Sequence, residues 1–446
     1  MKKIITVIYT LSFVIGAVSA QSVYDGVKIA DKDLNGTARF VGMGGAMGAL
    51  GGDITTMGTN PAGIGIYRSN DVMTSFSYSA YGMESKYEGQ KSTIDKNRWS
   101  FDNIGVVFAT KIGNQTPLRY VNFGFNYKRS KSFYKNMSMS GMMGVVENPS
   151  NPGSPYYVSQ TNSMALQATD AERYVWDNSR QHLDFDNANR IFSDPDAGWL
   201  GALGYQGGLT ERDRIDNEPD LYVPFLPVEP SSVFNSREKG GIDQYDFNVS
   251  FNINDRVYLG LTIGAYDVDY DKYSGYDESY KRGEGYSLES YNNISGSGFD
   301  VKMGLILRPF EYSPFRIGFA VHTPTFYKLT YSTSAIVTND YRDAKTDELK
   351  RIIVDTYDYV GDMKRDYRLV TPWKYNVSLG YTVGTSLALG AEYEYEDYST
   401  MKFKYSSNDG GGDMEFENAE VKNCLKGEHT FRIGAPDFVT QKTSIL

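Results

Sequence analysis

The feature that most constrains the fold of this sequence is a strict alternation of apolar and polar side chains over residues 244–265. In "QYDFNVSFNI" (244–253), aromatic and aliphatic side chains occupy every second position, with polar ones between them. "VYLGLTIGA" (257–265) repeats the pattern after only three residues. A period of two is typical of a β-strand, because successive side chains point to opposite faces. The two segments therefore predict a tight antiparallel hairpin with one apolar face.

The same alternation recurs along the chain and predicts about ten strands. The other segments that carry it are 121–128, 299–307, 315–321, 374–381 and 386–393, with shorter candidates near 72–82, 102–110 and 429–434. Short connections at 254–256, 309–314 and 383–385 alternate with long ones near 130–243, 270–296, 330–372 and 397–427. Transmembrane barrels have short turns on one side and long loops on the other. The pattern favours an all-β, transmembrane antiparallel β-barrel, and a soluble sandwich is the alternative.

Tyrosine supports the barrel by its number and its position. The chain has 36 tyrosines and 45 glycines, more than a soluble enzyme of this size usually carries. Several tyrosines fall near predicted strand ends: Tyr266, Tyr270, Tyr327, Tyr331, Tyr393 and Tyr395. Outer-membrane barrels carry aromatic girdles at both membrane interfaces. We therefore expect these tyrosines to form such girdles.

Residues 1–20 have the composition of a cleaved signal peptide. Two lysines precede an apolar stretch, and "AVSA" (17–20) is a small-residue cleavage site. We expect export and a mature chain that begins at Gln21, and an uncleaved anchor is the alternative. The single cysteine excludes an internal disulfide framework. A net charge of -10 argues against a nucleic-acid partner.

The sequence shows no pattern typical of an enzyme. His182, His322 and His429 are far apart, and none has the spacing of zinc ligands. No G-x-S-x-G motif is present. "DKDLNG" (31–36) resembles the start of a calcium loop, but the closing carboxylate would fall on Gly42. We therefore expect no catalytic residue, no metal and no cofactor.

Two glycine-rich segments precede the first strand. "ARFVGMGGAMGALGGD" (38–53) is not a dinucleotide fingerprint, because no strand precedes it and Met47 replaces the third glycine. Its interspersed apolar side chains favour burial, and a flexible linker is the alternative. "GTNPAGIG" (58–65) predicts a tight turn, because proline and glycine break helix and sheet. We predict that residues 21–70 form a hatch inside a barrel of residues 71–435.

Together with the export signal and the strands, these segments resemble the FadL-type outer-membrane transporters of long-chain fatty acids and other hydrophobic compounds. The Asn60-Pro61-Ala62 triplet and the Ala38-Arg39 to Ala46 stretch match the hatch of that family. The chain also resembles Bacteroidetes members of this family, which are often labelled haemin receptors. The resemblance implies a fourteen-stranded barrel, passive uptake without ATP or metal, and ligand exit sideways through a gap in the wall. It assigns the hatch to Gly42, Gly44, Gly45, Asn60, Pro61, Ala62 and Gly63.

The implied function is passive transport of hydrophobic small molecules, such as long-chain fatty acids, across a Gram-negative outer membrane. The 130–243 connection, with short helices predicted at 165–176 and within 186–203, is expected to cover the barrel mouth. Its candidate ligand contacts are Trp176, Trp199, Leu200, Phe225 and Leu226, with ordinary loop packing as the alternative. Two other functions stay open. One is a secretion-system shuttle for protein cargo, and the other is a surface-binding protein of haem or adhesin type.

The strand pattern ends near residue 435, where Pro436 interrupts it. Residues 436–446 predict an atypical tail, as after a truncation or a frameshift, so that C-terminal strands appear to be missing. An open barrel edge inside lipid is very costly. We therefore expect weak insertion of this chain unless it oligomerises.

Overall fold

The computed structural model describes residues 23–146, 156–194, 196–214, 217–225, 230–384 and 387–435. A single antiparallel sheet of 15 strands dominates them. The predicted signal peptide and the 436–446 tail lie outside the described residues. None of the described helices is long and apolar enough to cross a membrane.

The strands follow the predicted alternation but run longer than it. They are β1 (Asp71–Tyr87), β2 (Gln90–Lys111), β3 (Leu118–Ser132), β4 (Lys135–Met142), β5 (Val145–Val146), β6 (Tyr156–Tyr157), β7 (Thr210–Asp213), β8 (Leu221–Pro224), β9 (Ser231–Ile253), β10 (Val257–Ser279), β11 (Gly285–Leu307), β12 (Arg316–His322), β13 (Phe326–Arg342), β14 (Leu349–Asp355), β15 (Met363–Val370), β16 (Lys374–Val383), β17 (Leu387–Asp397), β18 (Lys402–Tyr405) and β19 (Gly427–Gly434). The hairpin predicted at 244–265 is the β9–β10 pair.

The sheet forms a wall of ten neighbouring positions in chain order. Four positions consist of two strand segments each: β3 with β4, β12 with β13, β15 with β16, and β17 with β18. Pro324 and Pro372 lie in two of the breaks, because proline has no N–H to donate to the ladder. Among the described residues, β1 and β19 each pair on one side only.

The wall is inside out compared with a soluble sheet. Phe247, Leu259 and Ile263 point outward and are exposed, whereas Asn248 and Thr262, on the opposite face, are buried. The apolar faces of the other wall strands are exposed in the same way. In a soluble sandwich those faces would be buried between two sheets. The exposed apolar faces exclude the sandwich and give the all-β barrel fold.

Four of the girdle tyrosines are an exception to the prediction. Tyr266, Tyr270, Tyr327 and Tyr331 are at most 5% exposed, so they point into the barrel and do not form a girdle. They pack against the N-terminal helix α1 (Val23–Ala30) in one apolar cluster. Tyr266 and Tyr270 have the same parity as the inward-facing Thr262, and strand parity decides their direction.

The N-terminal segment fills the lumen of this wall. It contains α2 (Ala38–Gly42) and two 3-10 turns, Ile54–Gly58 and Pro61–Ile66. Residues at all ten wall positions approach residues 35–64: Ser75, Asp102, Asn122, Ser250, Gly260, Gly304, His322, Ser378, Glu392 and Gly434. A sheet whose every position touches one short segment must curl around it. The segment is therefore a hatch enclosed by the wall.

A cap covers one end of the wall. It consists of the described residues within 143–230, and this segment is shorter than the predicted 130–243 connection, because β4 and β9 extend into that range. Its helices are α3 (Gln160–Ser179), α4 (Ala188–Ile191) and α5 (Trp199–Gln206), so helices occur where 165–176 and 186–203 predicted them. Two more helices, α6 (Thr356–Val360) and α7 (Glu415–Cys424), lie in other connections.

Candidate functional site

The Asn60-Pro61-Ala62 turn is held by the wall through its backbone. The Asn60 side chain caps the turn by accepting from the Ala62 N–H at 3.2 Å and donates to the Gly48 carbonyl at 2.7 Å. Ser250 Oγ donates to the Pro61 carbonyl at 2.8 Å. Pro61 is suited to this first turn position, because it has no N–H to satisfy. The turn is therefore fixed at its start and against β9.

Glycines in the wall let this turn approach closely. A Cβ at Gly260 would lie 2.2 Å from the Pro61 carbonyl carbon, and one at Gly304 would lie 2.1 Å from Asn60 Oδ1. The two glycines face each other across the β10–β11 pair. Any larger side chain at either position would occupy space that the hatch backbone now fills.

The other predicted hatch glycines have several roles. Gly44 and Gly45 take positive φ angles of 59° and 82°, which β-carbon-bearing residues rarely adopt. A Cβ at Gly63 would lie 2.5 Å from Thr56 Oγ1, so Gly63 is a close-packing position within the hatch. Gly42 ends α2 and borders a cavity described below.

The lumen beside the hatch is polar and charged. Lys302 is fully buried and donates to Asp246 at 2.9 Å and to Asp300 at 2.8 Å. On the opposite side, Arg432 binds Glu392 at 3.1 Å and Glu394 at 3.0 Å. Burying paired charges of this kind is tolerated only with many hydrogen bonds. Beside these charged groups, the space between hatch and wall is unfavourable for a hydrophobic molecule.

The backbone hydrogen-bond ladder of the wall is interrupted between β2 and β3. Backbone pairing of the two strands ends at Asn103 and Lys128. Farther along, β2 meets β4 only through side chains, among them Lys96 Nζ to Asn136 Oδ1 at 3.1 Å and Ser92 Oγ to Ser140 Oγ at 3.5 Å. The break between β3 and β4 at 133–134 lies at the same level. We call this unpaired stretch the window.

A cavity of about 1030 Å³ lies behind the window. It is lined by hatch residues within 33–42, by β1 residues within 75–83, by β2 residues within 94–102 and by residues within 127–136, and it includes the aromatic side chains at the edge of the window. Phe101 stacks on Tyr127 with the ring centroids 5.6 Å apart, and Trp99 is 74% exposed on the outer face. Ligand pockets for small molecules have volumes of about 300–1000 Å³. The cavity therefore has the size of a small-molecule binding site, with aromatic side chains at its edge.

Two cations point into this cavity without carboxylate partners among the described residues. Lys96 and Arg98 lie on the inner face of β2, and both are half-buried. The Arg98 guanidinium lies 3.4 Å from the ring centroid of Tyr134. Arg129, which also lines the cavity, is instead paired with Asp243 at 2.7 Å. Lys96 and Arg98 are thus free to meet an anionic group.

The calcium-like segment 31–36 is engaged by a lysine. Lys131 Nζ lies 2.5 Å from Asp31 and 3.0 Å from Asp33. The Ser132 N–H donates to the second Asp33 oxygen at 2.9 Å. Asn35 donates to the Arg129 carbonyl at 3.0 Å. The segment therefore joins hatch to β3 through an ammonium group and hydrogen bonds.

The predicted ligand contacts of the cap do not converge on one site. Trp199 and Leu200 are buried in an apolar cluster that the cap shares with wall residues such as Val337, and the Trp199 indole donates to the Phe192 carbonyl. Trp176 packs against His182 in a tilted arrangement, and Phe225 is half-exposed near Tyr280. Leu226 lies outside the described residues. Ligand contact by these residues stays a prediction.

A buried carboxylate fastens the cap to the wall. Glu278, near the end of β10, is 2% exposed and accepts from Ser159 Oγ at 2.8 Å and from the Gln160 N–H at 3.0 Å, at the start of α3. Three tyrosine hydroxyls complete its shell: Tyr276, Tyr280 and Tyr286. Anions are also favoured at helix N-termini. Glu278 therefore acts as a latch for the cap.

Replacing Glu278 with alanine is expected to release the cap. The variant leaves three tyrosine hydroxyls and a serine without their acceptor, which costs about 3 kcal/mol or more. Cleavage of residues 143–230 by an added protease should accelerate about 100-fold. Glu289→Ala, which removes a half-exposed acceptor of Tyr273 and Tyr291, is the matched control and should change little. Equal cleavage of Glu278→Ala and the parent protein would contradict the latch.

Sequence reasoning missed Lys96, Arg98, Glu278 and the window. The alternation of "KSTIDKNRWSF" (91–101) indicates that Lys96 and Arg98 share a face, and this signal was available. The five hydrogen-bond donors to Glu278 come from two segments far apart in the chain, 159–160 and 276–286, and no local pattern connects these segments.

Solved structures with some likeness to this chain include two whose descriptions name a transporter and a channel. The Ralstonia pickettii toluene transporter TbuX matches with a TM-score of 0.37 and 12% identity, over 92% of this chain and 84% of its own. The CymD monoaromatic hydrocarbon channel matches with a TM-score of 0.37 and 10% identity, over 89% and 78%. A Pseudomonas aeruginosa FadL homologue matches with a TM-score of 0.19 and 10% identity, over 91% and 97%.

No protein-family model and no curated protein matches the sequence. At the TM-scores of the structural matches, the likeness carries no conclusion about ligand or mechanism. The fold follows from this chain's own strand ladder and from the contacts of its N-terminal segment. With the Asn60-Pro61-Ala62 motif seated inside an inside-out wall, the chain is an all-β barrel protein that resembles the FadL-type transporters in fold.

Proposed function

We propose that this protein is an outer-membrane channel that lets hydrophobic small molecules pass through its wall at the window. The observation that carries the proposal is the window itself: an unpaired stretch between β2 and β3 that opens into the cavity. The hatch and the charged lumen give a hydrophobic molecule no apolar route along the barrel axis. Exposed apolar faces on the wall strands support a lipid environment.

The free energy of apolar surface in water favours a sideways exit. Each Å² of such surface costs about 25 cal/mol in water, so a hydrophobic ligand is stabilised by passing from the cavity directly into lipid. The aromatic rim of Trp99, Phe101 and Tyr127 lines that passage. The passage needs no ATP and no cofactor, because the ligand moves down its concentration gradient.

Lys96 and Arg98 favour a ligand with an anionic end. A carboxylate could accept from both while its chain lies along the aromatic rim, which fits a fatty acid better than a neutral hydrocarbon. The cations lie on the hatch side of the cavity and the aromatic rings on the lipid side. Hydrogen bonds to charged groups contribute about 1.5–3 kcal/mol.

Uptake by proteoliposomes tests both parts of the proposal, the channel itself and its preference for an anionic ligand. Wild-type protein should admit a long-chain carboxylate and, more weakly, an alkylbenzene. Arg98→Ala should slow carboxylate uptake about tenfold or more, and should leave alkylbenzene uptake unchanged. The matched control is Arg365→Ala. Arg365 lies on β15, far along the wall from the window, and its guanidinium lies over the Tyr405 ring. Equal loss of both substrates in Arg98→Ala would contradict anion recognition, and no uptake of either by wild-type protein would contradict the channel.

A further inference from the structure

The cap brings together three metal-ligating side chains that take no part in the proposed passage. They are Glu172 on α3, His182 in the segment after α3, and Asp220 just before β8. One ligand atom of each lies within 4.8 Å of the others. His182 Nδ1 is 2.5 Å from Glu172 Oε1 and 3.8 Å from Asp220 Oδ2.

The two carboxylates of this cluster are buried, and the positive charge near them does not fully neutralise them. Glu172 is 0% exposed and Asp220 is 5% exposed. The Arg212 guanidinium lies 3.7 Å from Asp220 but binds Asp186 more closely, at 2.5 Å. The hydrogen bond from Arg212 lowers the pKa of the Asp186 carboxyl, so Arg212 is shared between two carboxylates. Buried carboxylates are tolerated when they are paired or coordinate a metal.

The surroundings hold the ligand atoms in place. The Leu183 N–H donates to Glu172 Oε2 at 2.9 Å, which directs the other oxygen towards His182. The His182 ring packs against Trp176 in a tilted arrangement, with the ring centroids 4.7 Å apart. In metal sites, contacts of this kind to the ligating side chains fix the orientation of those side chains. Among the described residues, the buried Tyr222 hydroxyl has no hydrogen-bond partner.

We propose that Glu172, His182 and Asp220 form a Zn²⁺ site in the cap. One imidazole and two carboxylates are a ligand set that zinc accepts, with metal–ligand distances of about 2.0–2.2 Å. Binding replaces the hydrogen bond between His182 and Glu172 with two bonds to the ion, and Asp220 moves towards it. The His182 ring is partly exposed, which gives the ion a path from solvent and leaves the fourth position to water. The ion ties α3 to the segment before β8.

Zinc titration of the purified full-length chain tests the site. Isothermal titration should show one ion per chain for wild-type protein, and binding at least about tenfold weaker for His182→Ala and Asp220→Asn. His429→Ala, which removes a histidine of β19 outside the cap, is the matched control and should bind as wild type. X-ray absorption at the zinc edge should show a single imidazole with oxygen ligands.

A second readout separates a lost site from a lost fold. Zinc should slow proteolysis of the cap in wild-type protein but not in His182→Ala, and both proteins should be cleaved equally without zinc. Absence of zinc binding by wild-type protein would overturn the proposal. So would binding of unchanged strength by both His182→Ala and Asp220→Asn, since the ion would then be held elsewhere. Neither result depends on whether the protein transports a hydrophobic ligand.

Discussion

Replacing Gly260 with leucine is expected to push the Asn60-Pro61-Ala62 turn away from the wall and open an ion-conducting path through the barrel. The new side chain would begin 2.2 Å from the Pro61 carbonyl carbon and 2.4 Å from the Ala62 nitrogen, and both are backbone atoms that cannot rotate away. Overpacking of this kind costs about 1–3 kcal/mol. In planar bilayers, wild-type protein should be nearly closed to small ions, and Gly260→Leu should conduct.

Gly412→Leu is the matched control for this prediction. A Cβ at Gly412 meets no atom within 4 Å, so the same substitution there should leave conductance at the wild-type level. Deletion of residues 22–65 should conduct more strongly than Gly260→Leu, because it removes the hatch entirely. If Gly260→Leu folds and stays closed, and the deletion also stays closed, residues 35–64 do not seal the lumen.

Fastening β2 to β4 with a disulfide is expected to block passage of hydrophobic ligands. Ser92 Oγ and Ser140 Oγ are 3.5 Å apart across strands that share no backbone pairing. Cysteines at both positions, in a Cys424→Ser background, should bridge there and hold the window closed, since bridged residues have Cβ atoms about 3.8 Å apart. Under oxidation, carboxylate uptake should fall more than about tenfold, which corresponds to an increase of about 1.4 kcal/mol in the activation free energy of uptake. Uptake should recover after reduction.

The control for the disulfide is a pair on strands that are already joined. Ser274 and Ser290 face each other on β10 and β11, with their hydroxyl oxygens 2.8 Å apart. Ser274→Cys with Ser290→Cys should form the bridge without changing uptake. Undiminished uptake by the oxidised Ser92→Cys and Ser140→Cys protein would mean that ligand does not leave through the window.

Strand parity made much of the wall predictable. The alternation around Phe247 and Asn248 set which side chains face outward, and the structure follows it. The same rule, applied to Tyr266 and Tyr270, would have placed both inward beside Thr262. Reading them as a girdle relied on residue type and position in the strand and ignored parity. Where the two signals disagree, parity decides, because a side chain cannot change face without a shift of register.

Long-range contacts made the sites unpredictable. The window depends on where pairing between Asn103 and Lys128 ends, and nothing in either strand alone marks that point. Spacing along the chain gives none of the three histidines a metal-binding neighbour. The fold nonetheless brings His182 against Glu172 and Asp220. Contacts of this type follow from how the cap folds back on α3, which local patterns do not encode.

Spin-label accessibility along β9 in reconstituted bilayers tests the inside-out wall most directly. Labels at Phe247, Val249 and Phe251 should collide with oxygen dissolved in lipid and not with a water-soluble nickel reagent. Labels at Asn248 and Ser250 should be shielded from both, because the hatch covers them. Access of the nickel reagent to the Phe247 set, or an absence of two-residue periodicity along the strand, would contradict the account.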